Sequence, residues 1–250
     1  MEQFYEIEKN KSFNLTHIFE CGQCFRWNKE IDGSYTGVFE NNVLNVKEEN
    51  EKIKFKGICQ GDIKEVVIKY FDLDTNYEEI KQTLSKVDCY LKQSIEFGQG
   101  IRILNQDLWE MLISFIISAN NNIPRIKGII ERLSKKYGKA IKYKGNTYYA
   151  FPTVEELSKA SIEDLRNLGL GFRDKRIYET TKIIKEGKIN LEEIKSIEET
   201  NIIREKLQTR SSKTSTLRYS RLPPKPLLQG NARPIKYLLP HTSAEKYFLQ

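Results

Sequence analysis

Between Ser114 and Arg125 the chain reads Ser-Phe-Ile-Ile-Ser-Ala-Asn-Asn-Asn-Ile-Pro-Arg, and no other stretch restricts its fold so strongly. An apolar helix is expected from Leu108 to Ala119 and runs straight into three asparagines. A second helix restarts at Ile123-Pro124, where proline is tolerated because its missing N–H would be unpaired in a first turn anyway. The resulting helix–helix corner presents the amides of Asn120, Asn121 and Asn122 beside the guanidinium of Arg125. A buried amide left unsatisfied costs about 1–3 kcal/mol. The corner therefore needs a polar partner, either the chain's own backbone through helix capping or a group from outside.

The charge of the chain is unevenly placed. Residues 209–250 hold eight of its 41 Lys and Arg but only one of its 34 acids, Glu245, which leaves 33 basic and 33 acidic residues in the rest. The net charge of +7 thus resides in the last segment, and any nucleic-acid affinity of residues 1–208 must come from local placement of a few groups. A hydrophobic content of 39% with 30% charged residues describes a soluble protein. No apolar run approaches the roughly 20 residues that span a bilayer, and the acidic start MEQFYEIEK is unlike a signal peptide. Four cysteines (Cys21, Cys24, Cys59, Cys89) point to a reducing compartment, so an intracellular, cytoplasmic or nucleoid location and a monomer are expected. Cys21-x-x-Cys24 lacks a second ligand pair, and His17 and His241 are the only histidines, so neither metal nor cofactor is expected.

The pattern predicts an α+β fold: an N-terminal antiparallel sheet and helix unit packed on an α-helical domain, followed by an irregular tail. Ser34–Ile58 alternates and turns like antiparallel strands, with SYTGVF, VLNV and KIKFKGI separated by Asn41-Asn42 and by Glu48–Glu51. Asp62 is positioned to cap a helix, and one further helix is expected from Asn76 to Phe97, ending at Gly98. Capping-box pairs start helices at Asp107/Glu110, Thr153/Glu156 and Ser161/Asp164. Gly138 and Gly187 occupy the position after a helix end that glycine fills cheaply. Arg166–Arg173 reads as a short glycine-bounded turn, and helices are expected at Asn190–Ile197 and Asn201–Leu207. After Gln208 the grammar changes, with five of seven prolines in the remaining residues. The expected units are 1–100 (α+β), 101–208 (α-helical) and 209–250 (basic, proline-containing and irregular).

Four segments, in order, resemble the 8-oxoguanine DNA glycosylases of the helix-hairpin-helix superfamily. They are Cys21-Gly-Gln-Cys-Phe-Arg-Trp27, Gly100-Ile-Arg-Ile-Leu-Asn-Gln-Asp107, Phe115–Arg125 and Leu168-Gly-Leu-Gly-Phe-Arg173. The resemblance implies a base-excision repair protein that binds duplex DNA and swings an oxidised guanine out of the stack, at a cost of a few kcal/mol. It implies that Asn120 enters the vacated gap and that Arg125 and Arg173 donate to the estranged cytosine, for which a rigid multi-donor guanidinium is suited. Phe172 is then a wedge beside that cytosine, and Gly22 and Phe25 belong to the base pocket. The Gly22 carbonyl accepts a hydrogen bond from the N7–H that oxidised guanine has and guanine lacks, and an unpaired buried acceptor discriminates. Residue by residue, plainer readings stand beside these: helix caps for the asparagines, solvated charges for the arginines, core packing for Phe172, Phe25 and Trp27, and a turn for Gly22.

The family's chemistry uses a lysine amine that displaces the damaged base and forms a Schiff base with the sugar. That lysine lies in a hairpin of the type Gly-Val-Gly-x-Lys-Val-Ala-Asp-Cys, and an assisting aspartate follows in Pro-Val-Asp. Where the hairpin should begin, this chain reads Thr209-Arg-Ser-Ser-Lys-Thr-Ser-Thr. Residues 209–250 contain no aspartate and a single glycine, Gly230, so no catalytic residue is assigned and Lys213 is not given the role. The four clustered cysteines of the iron–sulfur branch of the superfamily are missing too. Two other readings remain: an inactive lesion-binding remnant of a frameshifted or truncated gene, and a helical interaction domain that does not bind nucleic acid.

Overall fold

The computed structural model describes residues 1–195. An N-terminal five-stranded antiparallel sheet with helices is followed by a helical region, as the periodicity predicts. The sheet consists of β1 (Gln3–Glu8), β2 (Trp27–Lys29), β3 (Tyr35–Phe39), β4 (Asn42–Glu49) and β5 (Lys52–Ile58), in the order β1-β5-β4-β3-β2. Its register aligns Tyr5, Phe55, Val46 and Tyr35 in one row across the strands. On that face Phe13, Phe19, Trp27 and Phe71 complete a buried aromatic core, with Phe19 and Trp27 stacked at 4.2 Å. The helices α1 (Leu15–Phe19) and α2 (Ile63–Tyr70) close it, and Asp62 caps α2 as expected.

The stretch expected to be one helix from Asn76 to Phe97 is two, α3 (Tyr77–Leu84) and α4 (Cys89–Phe97). Asp88 causes the break: its side chain accepts from the Leu91 N–H at 2.7 Å, and an extended aspartate that caps a new helix cannot continue the old one.

In the second part, α5 (Leu108–Ser118) and α6 (Ile123–Tyr137) form the corner anticipated from the asparagines. A hairpin follows, β6 (Ala140–Tyr143) and β7 (Asn146–Tyr149), which the sequence reading missed. Its two-residue turn places Lys144 and Gly145 at φ +48° and +77°, the pairing that suits the twist of a tight hairpin. The hairpin packs Tyr143, Ile141 and Tyr148 on Val38, Val43 and Ile58 of the sheet and so ties the two parts together. Short helices α7 (Val154–Leu157) and α8 (Ile162–Leu165) both begin with complete capping boxes. Then come α9 (Asp174–Lys185) and α10 (Leu191–Lys195). Their core contains Trp109, Ile113, Ile117, Ile129, Leu133 and Leu170, and the Trp109 indole donates to Pro152 O.

Gly187 has the left-handed backbone expected after α9, at φ +68°, but Gly138 does not. Its φ is −86°, and glycine is required for another reason: a Cβ there would lie 1.9 Å from the Ala150 carbonyl oxygen. The helix expected at Asn201–Leu207, the last residues of the one expected at Asn190–Ile197 and the irregular tail lie outside the described residues.

Candidate nucleic-acid interface

The three asparagines divide their work. Asn121 donates from Nδ2 to Ile117 O (3.0 Å) and closes the end of α5, while Asn122 accepts from the Arg125 N–H (3.0 Å) and caps α6. Capping accounts for both amides. Asn120 differs: its backbone is left-handed (φ +50°), its side chain is exposed, and no described residue bonds its amide.

Residues 166–173 wrap against this corner. Gly169 and Gly171 take φ values of +90° and +58°, which bend the chain sharply enough to set Phe172 outward and Arg173 inward. Phe172 is 66% exposed, whereas Arg173 is only 2% exposed. The Arg173 Nε donates to Ala119 O at 3.0 Å, Nη2 donates to the carbonyls of Ala119 and Asn120, and Nη1 donates to Leu170 O at 3.3 Å. Its guanidinium also lies 4.3 Å from the centre of the Phe172 ring. Arg125, exposed, reaches back to Gly169 O at 3.5 Å. Burial, then Arg125 and Arg176, hold the Arg173 guanidinium below its usual proton affinity, which marks a concentration of positive charge at the corner. The structure thus gathers Asn120, Arg125, Phe172 and Arg173 in one place, with Arg173 buried beneath the other three.

Gly22 and Phe25 lie on a separate loop between α1 and β2, and no described contact joins Gly22 to the corner. Gly22 has φ +85°, and no described group donates to its carbonyl. Phe25 is half-buried and packs on the core of the helical part. Sequence reasoning missed the groups that hold this loop. The Gln23 side chain donates to Ile18 O and Arg102 O and accepts from the Leu104 N–H, and Gln106 Nε2 donates to Gln23 O. Arg26 donates to Tyr149 O on β7, and its Nη1 lies 3.8 Å from Glu110 Oε2 at the start of α5. Burial raises the Glu110 carboxyl to about 7 against the pull of Arg26. Burial pushes the loop's thiols up, Cys24 much further than Cys21, and so disfavours the thiolate form at both. Among the described residues there is no cluster of three or more metal-binding side chains and no helix long and apolar enough to cross a membrane.

Residues 6–112 match the family model described as 8-oxoguanine DNA glycosylase, N-terminal domain, and residues 113–227 match that of the HhH-GPD superfamily base excision DNA repair proteins. The fold superposes on the apo-form of the 8-oxoguanine glycosylase/lyase of Clostridium acetobutylicum with a TM-score of 0.79 and 43% identity, over 84% of this chain and 73% of that one. This chain belongs to the 8-oxoguanine DNA glycosylase family. The same clostridial protein in complex with double-stranded DNA containing cytosine opposite 8-oxoguanine gives a TM-score of 0.77, again at 43% identity, over 83% and 73% of the two chains. The N-glycosylase/DNA lyase of Saccharomyces cerevisiae is 36% identical over 198 residues, 72% of this chain and 52% of its own length. The chain spans about half the length of the curated relatives it matches. The HhH-GPD match runs past Gln208, where the composition changes.

Proposed function

We propose that this chain is a base-excision repair protein that recognises 8-oxoguanine opposite cytosine in duplex DNA and, as its family does, excises the base and acts on the abasic site. The observation that carries the recognition half is the corner itself. An amide without a partner among the described residues, Asn120 on a left-handed backbone, stands out between two guanidiniums and an exposed ring. In this reading Asn120 fills the space of the everted nucleotide and Phe172 wedges beside the estranged cytosine. Arg125 is the donor already available to that base. Arg173 commits four of its five N–H groups to backbone carbonyls in the free protein and reaches cytosine by exchanging some of those bonds. The Gly22 carbonyl, to which no described residue donates, accepts the N7–H of the lesion, and Phe25 lines that pocket.

A second reading is favoured by one sequence observation: residues 209–250 lack aspartate and the glycine-rich lysine hairpin of the family. In that reading recognition persists without cleavage. The two are separated by borohydride trapping on an 8-oxoguanine:cytosine duplex, with a binding titration beside it. A covalent adduct selects the glycosylase/lyase, and its loss in Lys213→Gln assigns the amine. Lesion preference without an adduct selects the binding reading. A protein that binds lesion and undamaged duplexes equally, with Asn120→Ala and Arg125→Ala unchanged from wild type, sinks both and leaves a helical interaction domain.

A further inference from the structure

Next to Gly22 in its loop, Gln23 makes more side-chain hydrogen bonds to the rest of the fold than any other residue between Cys21 and Phe25. Gln23 is 5% exposed and its side chain has no unused hydrogen-bonding group except one lone pair. Both amide hydrogens are spent, on Ile18 O at 2.8 Å and Arg102 O at 2.8 Å, and its oxygen accepts the Leu104 N–H at 3.0 Å. Its main-chain carbonyl accepts Gln106 Nε2 at 2.7 Å. One of these anchors is itself tied into the fold: the Arg102 guanidinium donates to Phe71 O (3.0 Å) and Thr75 O (3.2 Å) and stacks 4.1 Å from the Tyr77 ring. The peptide joining Gly22 to Gln23 carries the Gly22 carbonyl, so whatever fixes Gln23 fixes the direction of that oxygen.

We propose that Gln23 is a positioning residue for lesion specificity, setting the aim of the Gly22 carbonyl toward the lesion's N7–H. The inference rests on the pocket reading above. It follows from that geometry that glutamine is needed rather than any polar residue. Gln23→Glu would turn one carboxylate oxygen toward both the Ile18 and Arg102 carbonyls, and Gln23→Leu would take this donor from the Arg102 carbonyl and leave the Ile18 carbonyl with the Cys21 thiol at 3.5 Å.

The test is a titration of the full chain against three cytosine-paired duplexes carrying uncleavable 2′-fluoro-8-oxoguanine, 2′-fluoroguanine or a tetrahydrofuran abasic site. The abasic duplex engages the corner but offers no base to the pocket. Gln23→Leu and Gln23→Glu are expected to lower the preference for the oxidised over the normal guanine about tenfold, the equivalent of one hydrogen bond, while abasic affinity stays at the wild-type level. A merely structural role would weaken all three together. If the Gln23 variants do not fold, Gln106→Leu, which removes only the bond to the Gln23 carbonyl, is expected to lower the same preference. An unchanged preference in a folded variant overturns the proposal. A wild-type protein without lesion preference instead overturns the pocket reading itself, and the role of Gln23 falls with it.

Discussion

Arg173 Nη2 donates to the Asn120 main-chain oxygen at 2.9 Å, so the buried guanidinium of one loop holds the exposed amide of another at a left-handed turn. Glycine would adopt that backbone freely; asparagine adopts it with local help and keeps a side chain to present. The pair explains why a charged residue that most proteins leave solvated is enclosed here. Its charge-assisted bonds replace water on carbonyls that end α5 and find no helical partner.

Arg173→Ala is therefore expected to cost stability as well as binding. The carbonyls of Ala119 and Asn120 lose their donor, worth about 1–3 kcal/mol in urea unfolding. Arg173→Lys should recover part of that, because one ammonium cannot reproduce the fork. Arg125→Ala, at an exposed site, should stay within about 0.5 kcal/mol of wild type. Equal costs at the two arginines would show that the buried bonds contribute little.

Glu110 gives the protein a pH dependence opposite to that of an ordinary paired carboxylate. Its side chain is 13% exposed, and burial, helped by Asp107 and Glu40, raises it to about 7 from 4.5 although Arg26 lies across from it. Below about pH 4.5 the group is protonated in folded and unfolded chains alike. Between there and about pH 7 the unfolded chain ionises while the folded one resists, so the stability due to this group falls as pH rises. Glu110→Gln, which cannot ionise, should gain on wild type steadily from about pH 5 to about pH 8 in urea unfolding. Parallel curves for the two proteins would refute the assignment.

Much of this architecture was legible because it is local. Alternation announced β3 to β5, and the capping pairs at Thr153 and Ser161 announced α7 and α8, since both signals lie within a few residues of the structure they cause. The corner was legible for the same reason. Missed were features decided across the chain. Strand β1 is an edge whose place is set by pairing with β5, some fifty residues on, and the hairpin of β6 and β7 is stabilised by packing on the sheet. The role of Gln23 depends on partners 79 to 83 positions away. The inward turn of Arg173 depends on two positive φ glycines that sequence shows only as a turn.

The sheet contains a site where one added carbon should be decisive. Gly37 pairs with Trp27 across β2 and β3, and a Cβ there would lie 2.1 Å from the Trp27 ring, which is stacked on Phe19 and hydrogen-bonded to Tyr70. The ring cannot move without vacating the core. Gly37→Ala should destabilise by about 3 kcal/mol and shift the tryptophan fluorescence. Gly33→Ala is the control: its Cβ meets nothing within 4 Å, and only the strain of φ +80° applies, of order 1 kcal/mol. Because the control carries backbone strain that Gly37→Ala does not, the difference is a lower bound on the packing cost.

Two neighbouring asparagines should separate folding from recognition in opposite directions. Asn120→Gly keeps the left-handed backbone and deletes only the exposed amide, so unfolding should be unchanged or slightly harder while affinity for an 8-oxoguanine:cytosine duplex falls about tenfold, the equivalent of roughly 1.4 kcal/mol. Asn122→Ala removes the cap on the Arg125 N–H and should cost about 1 kcal/mol of stability, with lesion preference retained once the folded fraction is equal. Unfolding curves and anisotropy titrations on the two variants give four numbers. If both variants lose stability and neither loses affinity, all three asparagines are caps and the corner is scaffold, which would leave the exposed Phe172 and Arg125 without a shared purpose.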